Sequence, residues 1–254
     1  MPSFDLAGPP DAPAIVFLHG AAFTRRMWLP QMDALAGEFR VIALDLPGHG
    51  AAAGRPFRLD QAVRDVVAVV DEHTQGRALL VGLSLGGYVA MVVARRSPCR
   101  TTGLVLSGCS VVYRGLRGGL ARLNALLLRV YSERWLTRMN ERTLRQMLPP
   151  ALAEPQIAAG FYWKAAGQGF GTIAGEDVRP ALRAYPYPVL ILNGADDRLN
   201  RAGEAALAVA ARDATVRIIA AAGHGVNLEQ PEAFTAAVRA FAQSLASHVD
   251  APTL

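Results

Sequence analysis

One serine in this chain sits where it could become a nucleophile. Gly82-Leu83-Ser84-Leu85-Gly86-Gly87 follows an apolar run ending at Val81 and precedes a helical stretch. In a strand–turn–helix context, Gly-x-Ser-x-Gly permits a sharp turn, because glycine leaves room where neighbouring backbone would meet a Cβ. Ser84 would stand at the tip of that turn. The Leu85 N–H would lie beside the helix N-terminus, whose partial positive charge suits a developing oxyanion. As a bare pattern Gly-x-Ser-x-Gly is common in a chain with 24 glycines. The flanking strand and helix are what give it weight.

A serine hydroxyl attacks poorly at neutral pH without a base, usually a histidine held in one tautomer by a carboxylate. The chain has five histidines. His73 falls late in a helix and His248 in the C-terminal tail, which suits solvation. His19, before Gly20, and His49, in Asp45-Leu46-Pro47-Gly48-His49-Gly50, are placed to brace loops. His224 lies in Ala222-Gly223-His224-Gly225, between the last strand and the last helix. Flanking glycines let an imidazole reach the edge of a sheet, so His224 is the candidate base. The carboxylate should follow an intervening strand. Gly194-Ala195-Asp196-Asp197 does so, and either aspartate could orient the histidine while the other caps the next helix. A second oxyanion donor would come from Leu18-His19-Gly20-Ala21-Ala22-Phe23, with the Ala21 N–H the natural choice.

These residues need a sheet to position them. Ala14–Leu18, Val41–Leu44, Ala78–Val81, Leu104–Leu106, Val189–Leu192 and Val216–Ile219 are short apolar runs that read as strands. Most are apolar on both faces, as in a parallel sheet covered on both sides. Asp60–His73, Gly86–Arg96, Arg201–Ala211 and Pro231–Ser247 carry helical periodicity between them. The alternation predicts a three-layer α/β fold. Residues 111–180 break it. Leu120–Tyr131 and Glu133–Leu148 look like amphipathic helices, the second with Leu136, Met139, Thr143 and Met147 on one face. We read 1–110 and 181–254 as the core and 111–180 as a helical insertion, or lid.

Composition excludes several alternatives. A chain of 254 residues with 52% hydrophobic and 19% charged residues is neither disordered nor limited in core volume. No apolar run approaches the roughly 20 residues that span a bilayer. The start lacks a basic and then apolar signal pattern, and Cys99 and Cys109 form no metal or redox motif, so a reduced cytoplasm is expected. The formal charge is +5, with Lys164 the only lysine. Arg114, Arg117, Arg122, Arg129, Arg134, Arg138, Arg142 and Arg145 face only Glu133 and Glu141 between 111 and 150. No nucleic-acid-binding pattern accompanies them, and a solvated helical face or a hold on an anionic substrate accounts for them.

Taken together, five segments resemble the α/β-hydrolase superfamily, and more closely its small, lid-bearing bacterial esterases and lactonases. They are Leu18-His19-Gly20 with Trp28, Asp45-Leu46-Pro47-Gly48-His49-Gly50, the turn at Ser84, Gly194 to Asp197, and Gly223-His224 with Glu229 and Pro231. The resemblance implies that fold, a mostly parallel sheet flanked by helices, and a Ser84–His224–Asp197 triad. It favours Asp197 over Asp196 by its distance from Gly194, and it supports Ala21 as the second oxyanion donor. Serine at position 84 argues against haloalkane dehalogenases and epoxide hydrolases of this fold, which use aspartate there. The lack of a lysine near the acid and histidine loops argues against hydroxynitrile lyases. Met27-Trp28-Leu29-Pro30-Gln31 resembles the same stretch of 3-oxoadipate enol-lactonases.

The expected activity is hydrolysis of small to medium acyl or aryl esters, or lactones, through an acyl-enzyme on Ser84. Thioester hydrolysis or acyl transfer by the same triad, and a non-catalytic ligand-binding member of the fold, are the alternatives. Phe23, Tyr113, Trp135, Met139, Phe161, Trp163 and Phe170 are the expected pocket residues. No metal or cofactor is expected. The partner is a small-molecule ester rather than nucleic acid or membrane, and the protein is expected as a monomer or homodimer.

Overall fold

The computed structural model describes residues 2–175, 177 and 179–249. The side chains of Arg129 and of residues 246–249 lie outside that description, and with them the reading of His248. Seven strands form one sheet in the order β1-β3-β2-β4-β5-β6-β7. Six of them realise the expected apolar runs: β2 (Ala14–Leu18), β3 (Arg40–Asp45), β4 (Ala78–Leu83), β5 (Thr101–Ser107), β6 (Val189–Gly194) and β7 (Ala214–Ile219). All pairs among them are parallel. The seventh, β1 (Ser3–Ala7), pairs antiparallel with β3 at the sheet edge and was not expected. It is half-buried along its whole length, so it carries neither alternation nor an apolar run.

Side chains alternate between two cores, as the period of a strand requires. Val16 and Leu18 face one core and Ile15 and Phe17 the other. The first core is covered by α2 (Leu59–His73), α3 (Leu85–Arg96) and α9 (Arg198–Ala210), through residues such as Val66, Val89 and Leu207. The second is covered by α1 (Leu29–Leu35) and α11 (Pro231–Val249), through Leu35, Phe234 and Val238. Fully buried Trp28 links sheet and helix there, with ring centroids 5.0 Å from Phe17 and 5.8 Å from Phe234. A short α10 (Val226–Glu229) precedes α11.

Five helices lie between β5 and β6: α4 (Gly115–Val130), α5 (Glu133–Met147), α6 (Pro150–Ala159), α7 (Trp163–Ile173) and α8 (Arg179–Ala184). Leu182 of α8 already belongs to the sheet core. Polar seams tie α6 and α7 to the loops at the sheet's C-terminal edge. The Tyr162 N–H donates to Ala22 O (2.9 Å), the Phe57 N–H to Gln168 Oε1 (2.8 Å), and Gln156 Nε2 to Arg26 O (3.2 Å).

Candidate active site

The β4–α3 turn has the geometry that the Ser84 spacing requires. Ser84 adopts φ 52°, ψ −116°, a left-handed conformation rare for a residue with a side chain. The Ser84 N–H donates to Ser107 O (2.7 Å), pinning the turn to β5. A Cβ on Gly86 would fall 2.1 Å from Leu18 O, and one on Gly82 would fall 2.5 Å from the Gly86 carbonyl. Both positions therefore exclude any larger residue. As the first residue of α3, Leu85 has an N–H without a partner inside the helix.

Two loops complete the arrangement. His224, between β7 and α10, places Nδ1 2.8 Å from Asp197 Oδ2. Its side chain is half exposed, while that of Asp197 is 7% exposed. Asp196 is exposed at the surface, so of the two adjacent aspartates it is Asp197 that meets the histidine. The capping role expected of the other aspartate also falls on Asp197. It precedes α9, which begins three residues earlier than the periodicity indicated, and its Oδ1 accepts from the Asn200 N–H at 3.3 Å. Burial works to raise the Asp197 carboxyl. The bonds from His224 and Asn200 outweigh that effect and hold it below its ordinary value.

Three supporting residues have no role in the sequence reading. Asn200 Nδ2 donates to both Asp197 oxygens (3.1 and 2.8 Å), while its Oδ1 accepts from the Ser110 N–H (3.0 Å). The Glu229 carboxylate accepts from the N–H groups on either side of His224, Gly223 (2.6 Å) and Gly225 (2.9 Å). Gly108, at φ +58°, lets the imidazole lie against backbone, since a Cβ there would fall 2.7 Å from His224 Cε1. The Asp-x-x-Asn helix start was a signal for Asn200. Glu229 stands in the family segment, but only the folded loop shows what its carboxylate holds.

His19 and His49 are fully buried and brace loops as expected. His19 Nε2 accepts from the Leu46 N–H (2.9 Å), so Nδ1 carries the proton and donates to Gly20 O (2.8 Å). His49 lies 3.0 Å from Pro47 O through Nδ1. Burial lowers the pKa of His19 to about 4 and that of His49 to about 3, so both are neutral at pH 7.

Ser84, His224 and Ala21 line one cavity of about 490 Å³, bounded on its other side by residues of α4, α5 and α7. Of the expected pocket residues, Phe23, Trp163 and Phe170 line it. Tyr113, Trp135, Met139 and Phe161 do not. Tyr113 packs beside Tyr88 (centroids 5.9 Å apart), and Phe161 stands edge-on to Phe23 (5.6 Å). Trp135 stacks on Tyr131 at 5.5 Å and is 50% exposed, as Met139 is 51% exposed. The cause is the rotation of α5. Its inward wall is Asn140, Thr143, Leu144 and Met147, so Met139 falls on the solvent side. Among the described residues, the arginines of 114–145 expected to hold an anion do not line this cavity either. Arg134, Arg138 and Arg142 are exposed, and Arg145 pairs with Glu154 at 2.8 Å. A wider cleft of about 1200 Å³, lined in part by Arg64, Arg96 and Arg122, contains none of Ser84, Asp197 and His224.

A seven-stranded, mostly parallel sheet with a strained serine turn after β4 and a histidine loop after β7 defines an α/β hydrolase fold. Residues 15–237 match the Alpha/beta hydrolase family, and the chain belongs to it. It is 28% identical over 244 residues to 3-oxoadipate enol-lactonase 2 of Acinetobacter baylyi, covering 92% of this chain and 90% of that protein. It is 30% identical to 2-succinyl-6-hydroxy-2,4-cyclohexadiene-1-carboxylate synthase of Salmonella paratyphi C, covering 89% and 92%. Among solved structures, a malate-bound thermophilic esterase from Thermogutta terrifontis superposes with a TM-score of 0.80 at 25% identity, covering 96% and 93%. Among the described residues, no helix is long and apolar enough to cross a membrane. Nor do three His, Cys, Asp or Glu side chains there group to hold a metal ion.

Proposed function

We propose that this protein hydrolyses carboxylic esters or lactones through an acyl-enzyme on Ser84. The observation that carries the reading is the His224 Nδ1–Asp197 Oδ2 contact of 2.8 Å, with His224 and the strained Ser84 lining one cavity. The esterase and enol-lactonase relatives support the same class of reaction.

In this mechanism His224 Nε2 takes the Ser84 proton as Oγ bonds to the substrate carbonyl carbon. Asp197 holds the Nδ1–H and stabilises the imidazolium. The Ala21 and Leu85 N–H groups receive the charge that develops on the carbonyl oxygen. His224 then gives its proton to the leaving alkoxide as the ester C–O bond breaks. Water, deprotonated by His224, attacks the acyl-Ser84 ester, releases the acid and returns the proton to Ser84. Residues 111–180 act as a lid that bounds the acyl pocket.

The test is turnover of a panel of p-nitrophenyl esters, short to long acyl, by wild type and Ser84→Ala. The reading requires loss of several orders of magnitude in the variant, on the order of 10⁴-fold or more. Equal slow rates in the two proteins would remove Ser84 as the nucleophile and bring the thioester and ligand-binding alternatives forward.

A further inference from the structure

The wider cleft, of about 1200 Å³, opens where α2 and α3 meet α4 and α7. Arg58 and Arg64 line it from the first turns of α2, Arg95 and Arg96 from the last turn of α3, and Arg122 from α4. All five are exposed. They come from three helices distant in sequence, so it is the fold that gathers them.

Asp60 does not balance this charge. It is the one acidic residue lining the cleft among the described residues. Arg96 Nη1 donates to Asp60 Oδ1 at 2.6 Å. That bond holds the Asp60 carboxyl below its ordinary value, and the charges of Arg96, Arg64 and Arg58 add to the effect. One carboxylate thus faces three guanidinium groups. Arg64 and Arg122 donate to uncharged oxygens, Gln61 Oε1 (2.8 Å) and Ala174 O (3.4 Å). Cations gathered in a concave wall raise the local concentration of anions. The first turn of α2 begins at this wall without a side-chain cap, and its N–H groups add partial positive charge.

The spread of the arginines selects the kind of anion. A lone carboxylate engages one or two guanidinium forks. These forks stand on different walls of a cleft roomier than the roughly 300–1,000 Å³ that holds a drug-sized ligand. The complement is an extended anion with several charges, and guanidinium groups pair readily with phosphate oxygens. Leu126, 55% exposed, and Pro56 give the same cleft an apolar stretch for an organic part.

We infer that this cleft binds an organic polyphosphate, a diphosphate or triphosphate carried on a nucleoside, held by Arg58, Arg64 and Arg96 on one side and Arg122 on the other. The inference does not rest on the ester-hydrolase reading. α4 turns Arg122 and Leu126 to this cleft and Asn124 and Leu128 to the Ser84 cavity. The ligand therefore joins α2 and α3 to a helix that bounds the Ser84 cavity.

The experiment is titration calorimetry of the whole protein, without added metal, at about 0.15 M salt. The probes are ATP, coenzyme A, tripolyphosphate and orthophosphate. ATP or coenzyme A should bind at one site, tripolyphosphate should compete, and orthophosphate should bind at least tenfold more weakly. ATP binding more tightly than coenzyme A assigns the cleft to a free nucleotide, and the reverse assigns it to the phosphorylated head of a thiol carrier. Arg58→Gln and Arg64→Gln, both at exposed positions, should each weaken binding roughly threefold to tenfold, the worth of a charge-assisted bond in solvent. Asp60→Asn removes the one like charge and should tighten binding roughly twofold to fivefold. Arg134→Gln and Arg138→Gln, exposed on α5 outside the cleft, should change nothing.

No binding of either ATP or coenzyme A would overturn the inference. So would orthophosphate binding as tightly as ATP, or affinities that Arg58→Gln and Arg64→Gln leave unchanged. Equal losses in the α5 variants would overturn it too, since they would trace binding to overall charge rather than to this cleft.

Discussion

Asn200 Nδ2 reaches both carboxylate oxygens of Asp197, at 3.1 and 2.8 Å, while its own Oδ1 accepts the Ser110 N–H. The carboxylate that orients His224 is thereby tied to the loop after β5 as well as to the first turn of α9. Asn200→Ala removes two charge-assisted donors and strands the Ser110 N–H. Hydrogen bonds to charged groups are worth about 1.5–3 kcal/mol, so kcat should fall roughly tenfold to a hundredfold. KM should move little, because Asn200 is not among the residues lining the cavity at Ser84. Steady-state kinetics on one ester separates the two parameters, and a change confined to KM would contradict this role.

Gly108 faces His224 so closely that any side chain must displace the ring. In Gly108→Ala the new Cβ would lie 2.7 Å from Cε1 and 2.9 Å from Nδ1, at a backbone φ of +58°. The left-handed strain costs about 1–2 kcal/mol of stability. The misplaced base should cost far more in rate, on the order of a hundredfold in kcat. Calorimetry and kinetics on the same preparation test both parts. A variant with full activity would show that the imidazole does not work from this position.

Glu229 holds the His224 loop by two backbone N–H groups. Glu229→Ala frees both, and about tenfold of kcat should be lost as the histidine samples more positions. Glu229→Gln keeps one acceptor oxygen and should recover part of that loss. Equal effects from the two variants would mean that charge, rather than the loop clamp, is what Glu229 supplies.

Acid stability should follow the buried histidines. His19 and His49 titrate at about 4 and about 3 in the folded protein, with burial the main cause. Unfolded histidine titrates near pH ~6.5. Between these values the unfolded chain binds protons that the folded one does not, so stability falls as pH drops from about 6.5 towards about 4. His19 alone accounts for roughly 3 kcal/mol over that range. Asp197, whose carboxyl is depressed, adds its own loss at lower pH, as acid passes through its folded-state titration. Urea unfolding from pH 7 to pH 4 measures the slope, which should be shallower in His19→Gln. A slope unchanged by that substitution would contradict it.

The sheet and the site differ in how far the sequence discloses them. β2 through β6 were legible because each buries nearly every residue and carries a continuous apolar run, whereas β7, an edge strand exposed from Thr215 to Arg217, showed only through its Val216–Ile219 stretch. The turn that carries Ser84 was legible because Gly82 and Gly86 have no room for a Cβ, and the loop that carries His224 because it follows the last strand between two glycines. β1 was not, since a short edge strand that is half-buried has no periodic signature. Nor was the inward wall of α5. Met139 and Asn140 differ by one residue, about 100° of helix rotation, which amphipathic patterning does not resolve when both margins of the helix are partly covered. Asn200 and Glu229 act through loop backbone, and only the folded chain brings those N–H groups to them.

The central claim is that Ser84 is a nucleophile activated by His224. A fluorophosphonate reacts far faster with such a serine than with other side chains and leaves a covalent adduct. Intact-mass and peptide analysis after labelling should find a single adduct on the Ser84 peptide of wild type. The adduct should be absent from Ser84→Ala and strongly slowed in His224→Ala. Labelling elsewhere, or labelling of Ser84 at the same rate without His224, would contradict the account.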